Sequence, residues 1–108
     1  MHPDLCIALC TVPDETTAGQ IADALVSEKL AACVNIIPSI TSVYRWKDAL
    51  EHDEELLLLI KTSEAVWPLL ETRILELHPY ELPEIIAVRI DAGQTEYSQW
   101  IKNNLITL

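Results

Sequence analysis

An α+β fold is what this 108-residue chain predicts, and three features of the sequence predict it. Stretches of strand and helix character follow one another in the order β-α-β-β-α-β-α. Near the centre, two long segments rich in β-branched or aliphatic residues flank a short polar turn. Half of the residues are hydrophobic, enough for one core at this length. No linker, repeat or low-complexity stretch divides residues 1–108, so they read as a single domain.

Leu5–Thr11 reads as the first strand. Its odd positions are large (Leu5, Ile7, Leu9) and its even positions small (Cys6, Ala8, Cys10), so both faces read as buried and the strand as central. Pro13-Asp14-Glu15 opens a helix with acid at its N-terminal dipole. Ala18, Ile21, Ala22 and Leu25 form its apolar face, and Glu28 and Lys29 close it. Cys33–Trp46 is the next strand. Pro38 inside it cannot donate to a ladder, which predicts an edge position or a bulge. Lys47-Asp48-Ala49-Leu50 predicts a turn, and Glu51–Thr62 the returning strand. Arms of roughly a dozen residues are about twice the usual strand length, so the hairpin should outreach the sheet.

Ser63 is the expected N-cap of a helix to Leu77, with Val66, Leu70, Ile74 and Leu77 in one stripe. Pro68 removes a backbone donor just past the first turn and predicts a late start. Pro79 stops this helix, because the residue before a proline avoids helical geometry. Glu84–Ile90 reads as a strand and Asp91-Ala92-Gly93 as a turn. A last helix from Thr95 places Tyr97, Trp100, Ile101 and Leu105 on one side.

The first six elements make the split βαβ, ferredoxin-like arrangement: a four-stranded antiparallel sheet with two helices on one face, here with an extra C-terminal helix. The opposite face, expected to carry Cys6, Ala8 and Cys10, has no cover in one chain. Together with an overlong hairpin bearing Tyr44 and Trp46, it predicts association with further copies.

Composition narrows the function. Against 17 acidic side chains stand 7 basic ones, a formal net charge of -10, which repels phosphate backbones and anionic membrane surfaces. The longest apolar run, Leu56–Ile60, is far too short to span a bilayer. Three cysteines without a C-x-x-C pair, and no basic start followed by an apolar stretch, point to reduced thiols in the cytoplasm. Only two glycines occur, Gly19 and Gly93, which excludes a Gly-rich phosphate loop and a dinucleotide fingerprint.

Leu77–Ile86, LHPYELPEII, is the most particular segment. Connectors are usually small and polar. This one sets a histidine, a tyrosine and glutamates on a stiffened turn, so it reads as a structural corner or as the rim of a site. Cys6 and Cys33 read as core residues. Cys6 and Cys10 lie ~13 Å apart along an extended strand, too far to share one metal. His2 is terminal, and His52 falls on an acidic, solvated hairpin arm. Tyr44, Trp46 and Trp100 read as interface and core aromatics.

Several of these pieces form a pattern. Cys10-Thr11-Val12-Pro13-Asp14-Glu15 follows the first strand, and Lys29-Leu30-Ala31-Ala32-Cys33-Val34-Asn35 enters the second. Tyr44-Arg45-Trp46, Lys61-Thr62, His78-Pro79-Tyr80-x-x-Pro83-Glu84-Ile85 and Tyr97-x-x-Trp100 come after. In that order the chain resembles the CutA-type divalent-cation-tolerance family from about Leu5 to Trp100.

The resemblance implies a ferredoxin-like subunit in a tight homotrimer, related in architecture to PII signalling proteins. It also implies a cytoplasmic location and binding of copper or other divalent metals. The copper site proposed for the family uses the cysteine that ends the first strand and a histidine pair before Pro-Tyr. Carried over, it implies Cys10 and His78 as metal ligands, with Leu77 where the first histidine would stand. Thiolate and imidazole favour copper or zinc over magnesium or calcium, and a third donor must come from a carboxylate, water or another subunit. Lys29, Lys61, Tyr80 and Glu84 belong to the same motifs. They are expected either to line a cleft between subunits, where a PII-like protein would hold a small-molecule effector, or to cap strand ends. No oxyanion-hole signature accompanies Cys10 and His78, and a buried strand cysteine is inert, so the chain is not read as an enzyme.

Overall fold

The computed structural model describes residues 4–108, and His2 lies outside them. Its elements are β1 (Leu5–Val12), α1 (Glu15–Ser27), β2 (Cys33–Trp46), β3 (Ala49–Ser63), α2 (Trp67–Leu77), β4 (Ile86–Arg89) and α3 (Thr95–Asn103). The strands form one antiparallel sheet in the order β2-β3-β1-β4, the split ferredoxin-like topology. No helix among the described residues is long and apolar enough to cross a membrane.

β1 is central, but its faces are reversed from the expectation. Ala8 and Cys10 are fully buried in the core with Ile21 and Leu25 of α1 and Leu70 and Ile74 of α2. Cys6 is buried on the same side. The small side chains lie under the helices, where little space remains between sheet and helix. The open face carries large residues instead. Leu9 is flanked by Leu59 and Ile86, and Ile7 by Lys61 and Val88. Ile86 and Val88 are half exposed, and Ile7, Leu9, Leu57 and Leu59 are only partly covered. Cys33 also lies on this face, beside Lys61, and is not a core residue.

The hairpin outreaches the sheet as expected. β1 pairs with β3 only over Leu56–Ser63, so Ala49–Glu55 pair with β2 alone, and the molecule is 44 Å long but 25 Å across. The turn is tighter than the sequence predicts. Lys47 and Asp48 alone make it, at φ 50° and 67°, while Ala49 and Leu50 pair with Trp46 and Arg45. Two left-handed central residues give a turn whose twist matches that of the strands. Pro38 lies on an edge strand and in a bulge between Ile37 and Ile40, with Ser39 at φ 61°.

α1 begins at its expected cap. Asp14 accepts the Thr17 N–H at 2.8 Å, and that bond holds its carboxyl below the usual range. α2 starts late, at Trp67, with Pro68 in its first turn. Ser63 therefore stays in β3. Its Oγ accepts the Val66 N–H at 3.3 Å and closes the turn before the helix instead of capping it. β4 spans four residues, not Glu84–Ile90: its ladder with β1 runs only from Leu9–Ile86 to Cys6–Arg89, and Glu84 and Ile85 stay outside it.

The connector after β4 is irregular. α3 then returns to the sheet, where Lys102 pairs with Asp4 at 3.5 Å and the Ile106 N–H donates to the Lys29 carbonyl at 2.8 Å. Ile101 and Leu105 join the core. Tyr97 and Trp100 do not share that face; they are exposed and stack on each other at 5.5 Å.

Candidate functional site

The corner at residues 77–86 is a rim. α2 ends at Leu77, and His78, held extended by Pro79, turns its ring back toward the end of β1. His78 is 8 % exposed, and its Nε2 lies 2.7 Å from the Thr11 carbonyl oxygen. A carbonyl only accepts, so Nε2 carries the proton. Nδ1 in turn accepts the Tyr80 N–H at 3.2 Å. Both ring nitrogens of a neutral imidazole are thereby used.

The Tyr80 ring sits 4.7 Å from that of His78, and its hydroxyl donates to Glu55 Oε2 at 2.6 Å. One chain of bonds, Thr11–His78–Tyr80–Glu55, thus ties the end of β1, the end of α2 and the base of the hairpin together.

Beside this chain lies a cavity of about 510 Å³. Thr11, Glu55 and Tyr80 line its inner end. Tyr44, Trp46 and Asp53 line it from the hairpin, and Glu81, Leu82 and Glu84 from the corner. Its field is negative. Burial above all, then Tyr80's bond to Glu55, pushes the Tyr80 phenol well above its ordinary range. Tyr44 donates to Asp53, which pushes its phenol up to about 12. Burial, followed by the charges of Glu84 and Glu55, pushes the Cys10 thiol up to about 12.

The expected site residues divide. Cys10 and His78 both come to Thr11, the thiol at 3.8 Å from the same carbonyl oxygen that His78 bonds. No group of three His, Cys, Asp or Glu side chains among the described residues is placed to hold a metal ion. The third donor that such a pair needs is therefore missing among the described residues. Tyr80 and Glu84 line the cavity. Lys29 and Lys61 do not. Lys61 lies on the open sheet face, donating to Asn35 Oδ1, with its Nζ 3.9 Å from Cys33 Sγ.

Lys29 follows the C-cap of α1 at φ 61°. Its N–H donates to the Val26 carbonyl, and the Leu30 N–H to that of Leu25, at 3.1 and 2.9 Å. This is a Schellman closure, with Lys29 at the position that glycine usually fills. Lys29→Gly should therefore raise stability by about 1 kcal/mol, the scale of the left-handed penalty, seen as a higher urea midpoint. A lower midpoint would show that the lysine side chain matters there.

Thr11, Asp53, Glu55 and Glu81 belong to the site but were not picked out by the sequence. For Glu55 a signal exists: it is the last acid before Leu56–Ile60, where a solvated arm becomes core.

The fold and the site together define a small ferredoxin-like α+β protein with an acidic, aromatic-walled cavity at the base of its hairpin. A family model described as CutA1 divalent ion tolerance protein matches residues 6–104, and the chain belongs to that family. It is 51% identical over 98 residues to the divalent-cation tolerance protein CutA of Thermus thermophilus, covering 91% of this chain and 95% of that one. It is 45% identical over 95 residues to human Protein CutA, covering 88% of this chain but only 53% of the human protein, so it spans about half of that relative's length. Among solved structures, the Thermus thermophilus protein superposes with a TM-score of 0.92 at 50% identity, over 94% of this chain and 98% of that one. CutA1 from Oryza sativa gives 0.93 at 40% identity, over 95% and 94%.

Proposed function

We propose that the chain works in divalent-cation tolerance as a cytoplasmic homotrimer, as a binding protein without catalytic activity, and that copper is its preferred metal. Family membership supports the role in tolerance. The observation that supports association into a trimer is the open sheet face, where Ile86 and Val88 are half exposed and Leu9 and Leu59 only partly covered within one chain.

The copper preference rests on the donor set. Thiol and imidazole suit copper, and Cys10 and His78 share the Thr11 carbonyl. The pair is closed rather than waiting: the thiol is protonated and His78 Nδ1 holds the Tyr80 amide. Binding at these two residues would need both to be released, which predicts weak capture at neutral pH and tighter capture as the pH rises toward 12. Anaerobic copper titration tests this. Cys10→Ser and His78→Ala should each lower affinity about tenfold or more. Equal affinity in all three proteins would remove both residues from metal binding.

The cavity favours a second reading, a PII-like effector site. Its volume falls within the usual range for small-molecule pockets, and Tyr80 and Glu84 line it. A thermal-shift screen of metabolites without metal addresses this reading. It is withdrawn if none raises the melting temperature.

A further inference from the structure

The cavity at the hairpin base lies on the open sheet face, so in a homotrimer sealed by that face its groups meet a neighbouring copy. Thr11 pairs with Leu57, and Glu55 lies two residues before Leu57 on β3, so both project from the side that carries Leu57 and Leu59. Both are nearly buried within one chain, Glu55 at 6 % exposed and Thr11 at 9 %. Glu55 is bonded through Oε2 alone, to the Tyr80 hydroxyl, and has no ion-pair partner among the described residues. The Thr11 hydroxyl makes no hydrogen bond among them. Asp53, Glu81 and Glu84 line the same cavity. A wholly apolar cover would strand a carboxylate and a hydroxyl in the interior of the assembly. The copy that covers them has to bring a cation.

The placement of the basic side chains says which one. Arg73, Arg89 and Lys102 are already paired with Glu28, Glu64 and Asp4. Lys29 closes α1, and Lys47 lies at the hairpin tip with its Nζ 5.7 Å from the Trp46 ring centroid. Arg45 alternates with Tyr44 and Trp46, which line the cavity, and so projects from the opposite side of the hairpin. That leaves Lys61, beside Ile7 and Cys33, as the one cation on the open face among the described residues. Its ammonium has three donors, of which Asn35 takes one. It cannot serve its own chain, because Lys61 and Glu55 stand on the same strand, roughly 20 Å apart. Symmetry points the same way. A twofold contact at the cavity would set acid against acid, whereas a cyclic trimer joins two different patches of the face, the acidic end of one copy and the Lys61 end of the next.

We propose that Lys61 of each copy enters the cavity of its neighbour, where its ammonium pairs with the carboxylates and completes the bonding of Thr11. The inference rests on the homotrimer above and names the contact that closes it. Any effector in the remaining space is then held between two copies.

Charge exchange tests the proposal, with light scattering on the full chain read across protein dilution in sub-denaturing urea. Glu84 is the acid to change, because Glu55 also holds Tyr80. Lys61→Glu and Glu84→Lys should each raise the protomer concentration of half-dissociation about tenfold or more. Both in one chain exchange the signs of the two partners and should return it to within about threefold of the wild type. Within one chain the two positions are roughly 13 Å or more apart along the strands, so their effects would otherwise add. Losses that add in the double variant would overturn the proposal, and so would single variants that dissociate like the wild type. Circular dichroism checks that each variant folds. Where a charge reversal does not, Lys61→Met with Glu84→Gln reads the same coupling: the two losses should not add, and additive losses would overturn the proposal. A monomeric wild type ends the trimer reading and this inference with it, while a trimer without the coupling ends this inference alone.

Discussion

Leu59→Glu is expected to break the oligomer into monomers. Leu59 sits in the middle of the open face, between Leu9 and Asn35, with Ile86 on the far side of Leu9. In a homotrimer sealed by this face, the substitution buries a carboxylate among apolar side chains in every copy. An unpaired buried charge costs several kcal/mol, enough to undo an association of ordinary strength. Light scattering on a size-exclusion column should give three times the 12.2 kDa chain mass for the wild type and one chain for the variant. A variant that keeps the wild-type mass would move the interface elsewhere, and a monomeric wild type would end the trimer proposal.

Leu58→Ala, one residue away, should act on the other side of the sheet. Leu58 is fully buried, pairs with Cys10 and Ile36, and belongs to the core under the helices. Truncating it removes apolar contacts and leaves a cavity in a packed interior, a loss of about 3 kcal/mol for a leucine in such a place. Denaturant unfolding at matched protomer concentration should show that loss, while light scattering shows the wild-type mass. A loss under about 1 kcal/mol would mean that the core closes over the gap more readily than its packing suggests. The two neighbours therefore separate stability of the subunit from its association.

What the sequence made legible was mostly local. Pro38, Pro68 and Pro79 act through their own covalent geometry, so the bulge, the late helix start and the helix stop could be read from single residues. The apolar stripe of α1 was equally direct. The faces of β1 were not. Alternation shows that a strand has a large and a small face, but which one the helices cover is decided by elements far along the chain. Here the small face lies inward, beneath α1 and α2.

The site divides in the same way. Tyr80 and Glu84 sit on the corner whose prolines announce it, and they line the cavity. Glu55 and Thr11 enter it only through the register of β1 with β3, which no local pattern reveals. Lys29 and Lys61 share the family's motifs but not the cavity. One closes a helix and the other bonds Asn35 on the open face.

His78 pins the corner, with one ring nitrogen on β1 and the other on the Tyr80 backbone. Nitrogen-15 NMR of the imidazole in the metal-free protein tests this most directly. The structure predicts a neutral ring protonated at Nε2, with Nδ1 accepting a hydrogen bond and the Tyr80 amide protected from exchange. A ring protonated at Nδ1, or rapidly averaging between tautomers, would contradict it.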